Sequence, residues 1–77
     1  MKKYTRKEIR GYITLGLAED ITTYDFNAMN EFLKNHKIDT VGLSYGVNGM
    51  NAGLFQDINT GELFAVITRN SALFMAC

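Results

Sequence analysis

The sequence contains one cysteine, one histidine and no proline among its 77 residues. A single cysteine excludes an internal disulfide framework and favours a reducing compartment. One histidine and one cysteine fall short of the four ligands of a structural zinc site, so we expect neither a metal nor another cofactor. Proline on an edge strand hinders pairing with another chain, and this sequence has no proline that could do so.

Long apolar runs are also absent. Residues 12–18 are interrupted by Thr14 and Gly16 and lead into Glu19 and Asp20, so this segment lacks the apolar core of a signal peptide. No stretch approaches the roughly 20 apolar residues of a membrane-spanning helix. We therefore expect a cytoplasmic protein that does not engage a membrane.

The short chain and its high apolar content together favour self-association. Residues 1–77 form one small domain, and a chain of this size buries only roughly 60% of the surface that its unfolded form exposes. Hydrophobic residues make up 47% of the sequence, including four tyrosines and five phenylalanines. With disulfides and metals excluded, oligomerisation is the remaining means of stabilising such a domain, so we expect a homo-oligomer or a protein partner.

Positive charge is concentrated at the start of the chain. Five of the eight basic residues lie in the first ten positions: Lys2, Lys3, Arg6, Lys7 and Arg10. Residues 1–10 carry a net charge of +4 and residues 11–77 carry −4. Such a segment can contact nucleic-acid phosphates, so these five residues are the candidate nucleic-acid-binding site. Against this, the pI near 6.5 is low for a nucleic-acid-binding module, and no helix-turn-helix or RNA-binding motif occurs.

Two helices are predicted in the first half of the chain. Thr5 and Glu8 fit a capping box that opens a helix from about residue 6 to 17, with Ile9, Tyr12, Ile13 and Gly16 on one face. A second capping signal, from Thr22 to Asp25, opens a helix from about 23 to 36. Its apolar face carries Phe26, Met29, Phe32, Leu33 and His36.

The second half of the chain has the alternation of β-strands. Val41, Leu43, Tyr45 and Val47 alternate with small residues, and Asn48-Gly49 is typical of a type I′ hairpin turn. Residues 50–57 return as the next strand. Asn59-Thr60-Gly61 predicts a second hairpin turn, with the glycine in the left-handed conformation. Residues 63–68 follow as a central strand, and residues 73–77 are predicted as an edge strand.

These elements predict an α+β fold in which two N-terminal helices pack on one face of an antiparallel three- or four-stranded β-meander. In this arrangement no chain is left to cover the other face of the sheet. Exposed apolar area of that kind marks an interface, which again favours self-association.

The sequence gives little support for catalysis. His36 is the only side chain that titrates near neutrality without a special environment, and its place on an apolar helix face favours a structural role. Ser44 and Ser71 lack a nucleophile motif, and no second histidine could activate them. Cys77 is the last residue and has no neighbouring group that would lower its pKa. We predict that the protein is not an enzyme.

Several segments carry a resemblance to a known group of proteins. These are the opening Tyr4–Arg10, the stretch Ala18–Thr22, and the long run from Gly49 to Phe74. In them the chain resembles small uncharacterised proteins that conjugative and phage-like mobile elements of Gram-positive gut bacteria encode. The resemblance implies a bacterial cytoplasm and an accessory role, and it carries over no functional residue.

Two hypotheses of function follow from the sequence. The first is a non-catalytic protein-interaction module that self-associates and is accessory to a bacterial mobile element. The alternative is a nucleic-acid-binding accessory protein that acts through the basic N-terminal helix. The first hypothesis places the binding energy in apolar sheet surface, whereas the second places it in lysine and arginine side chains.

Overall fold

The computed structural model describes residues 2–46 and 49–67, which form five strands and two helices. In chain order they are β1 (Lys2–Lys3), α1 (Arg6–Thr14), β2 (Ala18–Asp20), α2 (Phe26–Asn35), β3 (Ile38–Gly46), β4 (Gly49–Asp57) and β5 (Leu63–Ile67). The predicted edge strand at residues 73–77 lies outside the described residues, as do Val47 and Asn48 at the first predicted hairpin and Thr68 at the end of the predicted central strand.

The five strands form one mixed sheet in the order β1-β3-β4-β5-β2. Strands β3, β4 and β5 form the predicted antiparallel meander, which confirms the α+β class. The prediction of a purely antiparallel sheet is wrong, because β1 pairs parallel to β3 and β2 pairs parallel to β5. The two parallel strands that the sequence did not predict, β1 and β2, have only two and three residues, which is too short for a periodic pattern.

The two helices lie on opposite faces of the sheet. In α1, Ile9 is fully buried in a cluster with Leu54 and Ile67. In α2, Met29 and Phe32 belong to a different cluster, with Phe64 and Val66. The prediction that both helices cover one face is therefore wrong. The reason is β5, which is apolar on both sides and so needs a helix on each.

Helix α1 begins as predicted and ends early. The Thr5 hydroxyl accepts from the Glu8 N–H, and the Glu8 carboxylate accepts from the Thr5 N–H, which confirms the capping box. At the other end, the Leu17 N–H donates to the Tyr12 carbonyl, and Gly16 has a φ of 74°. This is a Schellman termination, so Gly16 ends the helix instead of joining its core face.

Helix α2 begins three residues later than predicted. Its cap is Asp25, whose carboxylate accepts from the Ala28 N–H at 2.8 Å. The predicted cap, Thr22, has a different role. Its hydroxyl accepts from the Ile67 N–H at 2.9 Å and donates to Asp20, so it ties the end of β2 to the end of β5.

Two bulges interrupt the alternation of the β3–β4 hairpin. The pairing passes from Thr40–Phe55 to Gly42–Leu54, which leaves Val41 as an extra residue, and a second shift leaves Asn51 unpaired in β4. Val41 packs against the α1 cluster, whereas Leu43 turns to the α2 side of the sheet. The prediction that Val41 and Leu43 share a face is therefore wrong.

Candidate functional site

A half-open apolar groove lies between α2 and the sheet, and we call it the α2 groove. It has a volume of about 340 Å³ and is lined almost entirely by apolar side chains. Its walls are Met29, Phe32 and Leu33 of α2 on one side, and residues of β3, β4 and β5 on the other. Both bulges contribute, because the changes of register bring Leu43 and Met50 to this side of the sheet.

The apolar stripe of α2 continues out of the α2 groove into solvent. Phe26 is 61% exposed and Leu33 is 36% exposed. A separation of seven residues places these two side chains on the same side of the helix. The fold therefore places exposed apolar side chains and an apolar opening on the same helix. No local pattern in the sequence predicts the opening, because it depends on the two bulges.

A second, polar site lies on the other side of the sheet, and we call it the basic concavity. It has a volume of about 470 Å³ and combines residues of α1 with residues at the ends of β2 and β5. Its polar lining consists of Arg6, Arg10, Thr14, Asp20, Thr22 and Thr23. Within residues 2–46 and 49–67, neither arginine forms an ion pair.

The structure divides the five predicted nucleic-acid-binding residues. Arg6 and Arg10 are one helical turn apart and both line the basic concavity. Lys7 is exposed on α1 but does not line it. Lys2 and Lys3 form β1, which lies at the opposite edge of the sheet from β2. Only the two arginines therefore form a shared site.

The acidic residue of the basic concavity is held by local hydrogen bonds. Asp20 Oδ1 accepts from the Thr22 N–H at 2.9 Å and also from the Thr22 hydroxyl. Within the described part of the chain, Asp20 Oδ2 has no hydrogen-bond partner. No local sequence pattern places Asp20 in this site, because its partner strand lies more than forty residues away.

His36 has the structural surroundings expected from the sequence. Its Nδ1 lies 2.8 Å from Asp57 Oδ2, and its ring stacks on Phe32 with centroids 4.5 Å apart. Phe64 meets the same ring at 5.1 Å in an edge-to-face contact. The hydrogen bonds from His36 and from the Asn59 and Thr60 N–H groups hold the pKa of Asp57 below its usual value, the His36 bond contributing most. In the described ranges no group of three or more His, Cys, Asp or Glu side chains is arranged to hold a metal.

The neighbouring acid of β2 lies in another environment. Tyr24 donates to Glu19 Oε2 at 3.5 Å. Partial burial raises the pKa of Tyr24, and the negative charge of Glu19 raises it further. Glu19 and Asp20 are adjacent residues of a strand, whose side chains point to opposite faces, so the two carboxylates lie in separate environments.

Comparison with known proteins returned no match: no family model, no curated protein and no solved structure is similar to this chain. Neither helix of the described residues is long and apolar enough to cross a bilayer. The α2 groove and the basic concavity are therefore the features of the molecule that bear on its function.

Proposed function

We propose that the protein is a non-catalytic interaction module, accessory to a bacterial mobile element, that self-associates through the α2 groove. The observation that carries the proposal is an apolar groove with Leu33 in its lining, together with the exposed side chain of Phe26 two turns earlier on the same helix. Contiguous exposed apolar area of this kind is uncommon on monomeric proteins and is typical of interaction sites.

A second copy of this chain is the occupant that fits the α2 groove. The opening and the protruding Phe26–Leu33 stripe belong to the same helix, so a twofold axis beside α2 would place each stripe against the other copy's groove. Association through the sheet edges is less favourable. The outer strands are β1, which consists of two lysines, and β2, which has only three residues with two acids among them.

The test is the oligomeric state of matched variants. Sedimentation equilibrium at micromolar concentrations should give a mass of twice 8.7 kDa for the wild-type chain. Leu33→Gln should weaken association by at least about tenfold, because it removes an apolar side chain from both copies of the interface. Leu15→Gln is the control, since Leu15 is 75% exposed and lies outside the α2 groove.

Three results would contradict self-association through this surface. The first is a wild-type monomer over the whole micromolar range. The second is a dimer that Leu33→Gln leaves intact, and the third is equal weakening by Leu15→Gln. Chemical denaturation of each variant separates loss of association from loss of folding.

The basic concavity favours a second candidate function, the binding of nucleic acid. Arg6 and Arg10 are free of ion pairs within the described residues and share one polar depression. Arginine is well suited to phosphate because its guanidinium presents a planar set of donors. Of the five basic residues in the first ten positions, only these two line the basic concavity, so the site is smaller than the one predicted from the sequence.

Salt dependence tests this candidate. In mobility-shift experiments the double variant Arg6→Gln with Arg10→Gln should flatten the slope of log K against log salt by about two units, one for each lost phosphate contact. The control is Lys34→Gln with Lys37→Gln, which removes two exposed charges outside the basic concavity. No retardation at low salt, or an equal effect of the control, would contradict nucleic-acid binding here.

A further inference from the structure

The basic concavity lies at the carboxyl edge of the parallel strands. Strands β1, β3, β5 and β2 all run in one direction, and β4 alone runs against them. The concavity is lined by Ile67, the last residue of β5, and by residues at and just after the end of β2. In open sheets with parallel strands, ligands bind outside the carboxyl ends of the strands.

The positive side of the concavity is suited to a phosphate group. Arg6 is the first residue of α1, where the helix dipole adds to the positive potential. Arg10 follows one turn later on the same side. Two guanidinium groups on a nine-residue helix can approach one phosphate from neighbouring positions.

The negative side of the concavity is suited to a hydroxyl donor. Asp20 is fixed through Oδ1 by two hydrogen bonds from Thr22, and Oδ2 accepts none within residues 2–46 and 49–67. A site for phosphate alone gains nothing from a carboxylate, since the two negative groups repel. A ligand that carries both a phosphate and a hydroxyl close to it uses both sides of the concavity.

We propose that the basic concavity binds a ribonucleotide unit, with its phosphate on Arg6 and Arg10 and its ribose 2′-hydroxyl donating to Asp20 Oδ2. The volume of about 470 Å³ is within the range of small-molecule sites. This inference rests on the second candidate function and narrows it from nucleic acid to RNA or a free ribonucleotide. The 2′-hydroxyl is the group by which a protein distinguishes RNA from DNA.

The experiment compares a single-stranded RNA oligonucleotide with a DNA oligonucleotide of matched sequence. Wild-type protein should bind the RNA about tenfold more tightly, the contribution of one hydrogen bond to a charged acceptor. Asp20→Asn should remove most of this preference, because the amide nitrogen that replaces Oδ2 cannot accept a hydrogen bond from the 2′-hydroxyl. The amide oxygen can still accept from Thr22, which preserves the local structure. Asp39→Asn, at an exposed position of β3, is the control.

Adenosine 3′-monophosphate, whose phosphate adjoins the 2′-hydroxyl, and its 2′-deoxy analogue identify the source of the ligand. Competition with RNA by the ribonucleotide, but not by the deoxy analogue, would support a site for free nucleotides or chain ends. RNA preference without such competition would support a site for an internal unit of the chain.

Equal affinity for RNA and DNA, or a preference that Asp20→Asn does not change, would overturn the proposal. If the salt slope still responded to Arg6→Gln with Arg10→Gln, the second candidate function would survive that result. Absence of binding to either oligonucleotide would overturn both.

Discussion

His36 Nδ1 lies 2.8 Å from Asp57 Oδ2, and this contact joins the C-terminal end of α2 to the turn between β4 and β5. Asp57 also holds that turn, since its Oδ1 accepts from the N–H groups of Asn59 and Thr60. Its side chain is 4% exposed. A single carboxylate therefore fixes both the second hairpin and the position of α2 above the sheet.

We predict that Asp57→Ala lowers the denaturation midpoint more than any exposed acid-to-alanine change. The substitution removes the acceptor of two backbone N–H groups and of His36, and it deletes three hydrogen bonds to one buried carboxylate. Asp39→Ala is the control, because Asp39 is exposed and, among the described residues, accepts only from the adjacent Thr40 N–H. Equal midpoints for the two variants in urea would contradict the role assigned to Asp57.

We predict that stability falls in acid partly through Asp57. Its pKa is lowered on folding from 3.8, chiefly by the His36 hydrogen bond. The ionised Asp57 carboxylate therefore contributes fully to the free energy of unfolding above its unfolded-state pKa. This contribution disappears as the pH falls through the lower folded-state pKa. Between pH 6 and pH 2 the urea midpoint should fall less in Asp57→Asn than in the wild-type protein. An identical fall in both would show that Asp57 does not contribute to the loss of stability in acid.

We predict that Gly61→Val destabilises the fold by about 1–2 kcal/mol. Gly61 has a φ of 79°, which confirms the left-handed conformation expected from the sequence, and β-branched residues resist it. A side chain at this position meets no atom within 4 Å, so the cost is backbone strain without a clash. An unchanged chemical denaturation midpoint would show that the turn tolerates a different conformation.

We predict that Gly11→Ala, in contrast to Gly61→Val, stabilises the fold. Gly11 lies inside α1, and an added Cβ meets nothing within 4 Å. Alanine is favoured over glycine in a helix interior by roughly 0.5–1 kcal/mol, so the free energy of unfolding should rise by about that amount. A loss of stability would mean that the site is more crowded in solution than its backbone indicates.

We predict that Thr22→Val lowers the free energy of unfolding by about 1–2 kcal/mol, although valine has nearly the same shape as threonine. It removes the hydroxyl that accepts from the Ile67 N–H and donates to Asp20. Thr23→Val is the matched control, since within the described residues Thr23 has no hydrogen-bond partner. Thermal melts of the two variants should therefore differ, and coincident melts would exclude the hydroxyl as a link between β2 and β5.

Local signals predicted much of the fold. The capping box at Thr5, the core face around Ile9 and the left-handed Gly61 each depend on residues close together in the chain, so the sequence contains their whole cause. The basic cluster also included Arg6 and Arg10, together with three lysines. What it could not predict is that the lysines of β1 belong to the opposite edge of the sheet.

The missed features depend on distant partners. Ala18–Asp20 forms a strand only because Leu63–Ala65 accepts it in parallel, and two acids in three residues give no strand signal of their own. The α2 groove depends on bulges at Val41 and Asn51, which are set by the pairing of β3 with β4. The division of the helices between two faces likewise requires the finished sheet.

The parallel edge strands have a consequence for the order of folding. Lys2 pairs with Gly42 and Ala18 pairs with Leu63, whereas β3 and β4 are neighbours in sequence. Closing such long loops is entropically unfavourable before other structure exists. We expect the β3–β4 hairpin to form first and the N-terminal strands to join last. During synthesis, most of the chain would therefore leave the ribosome before either edge of the sheet could be completed.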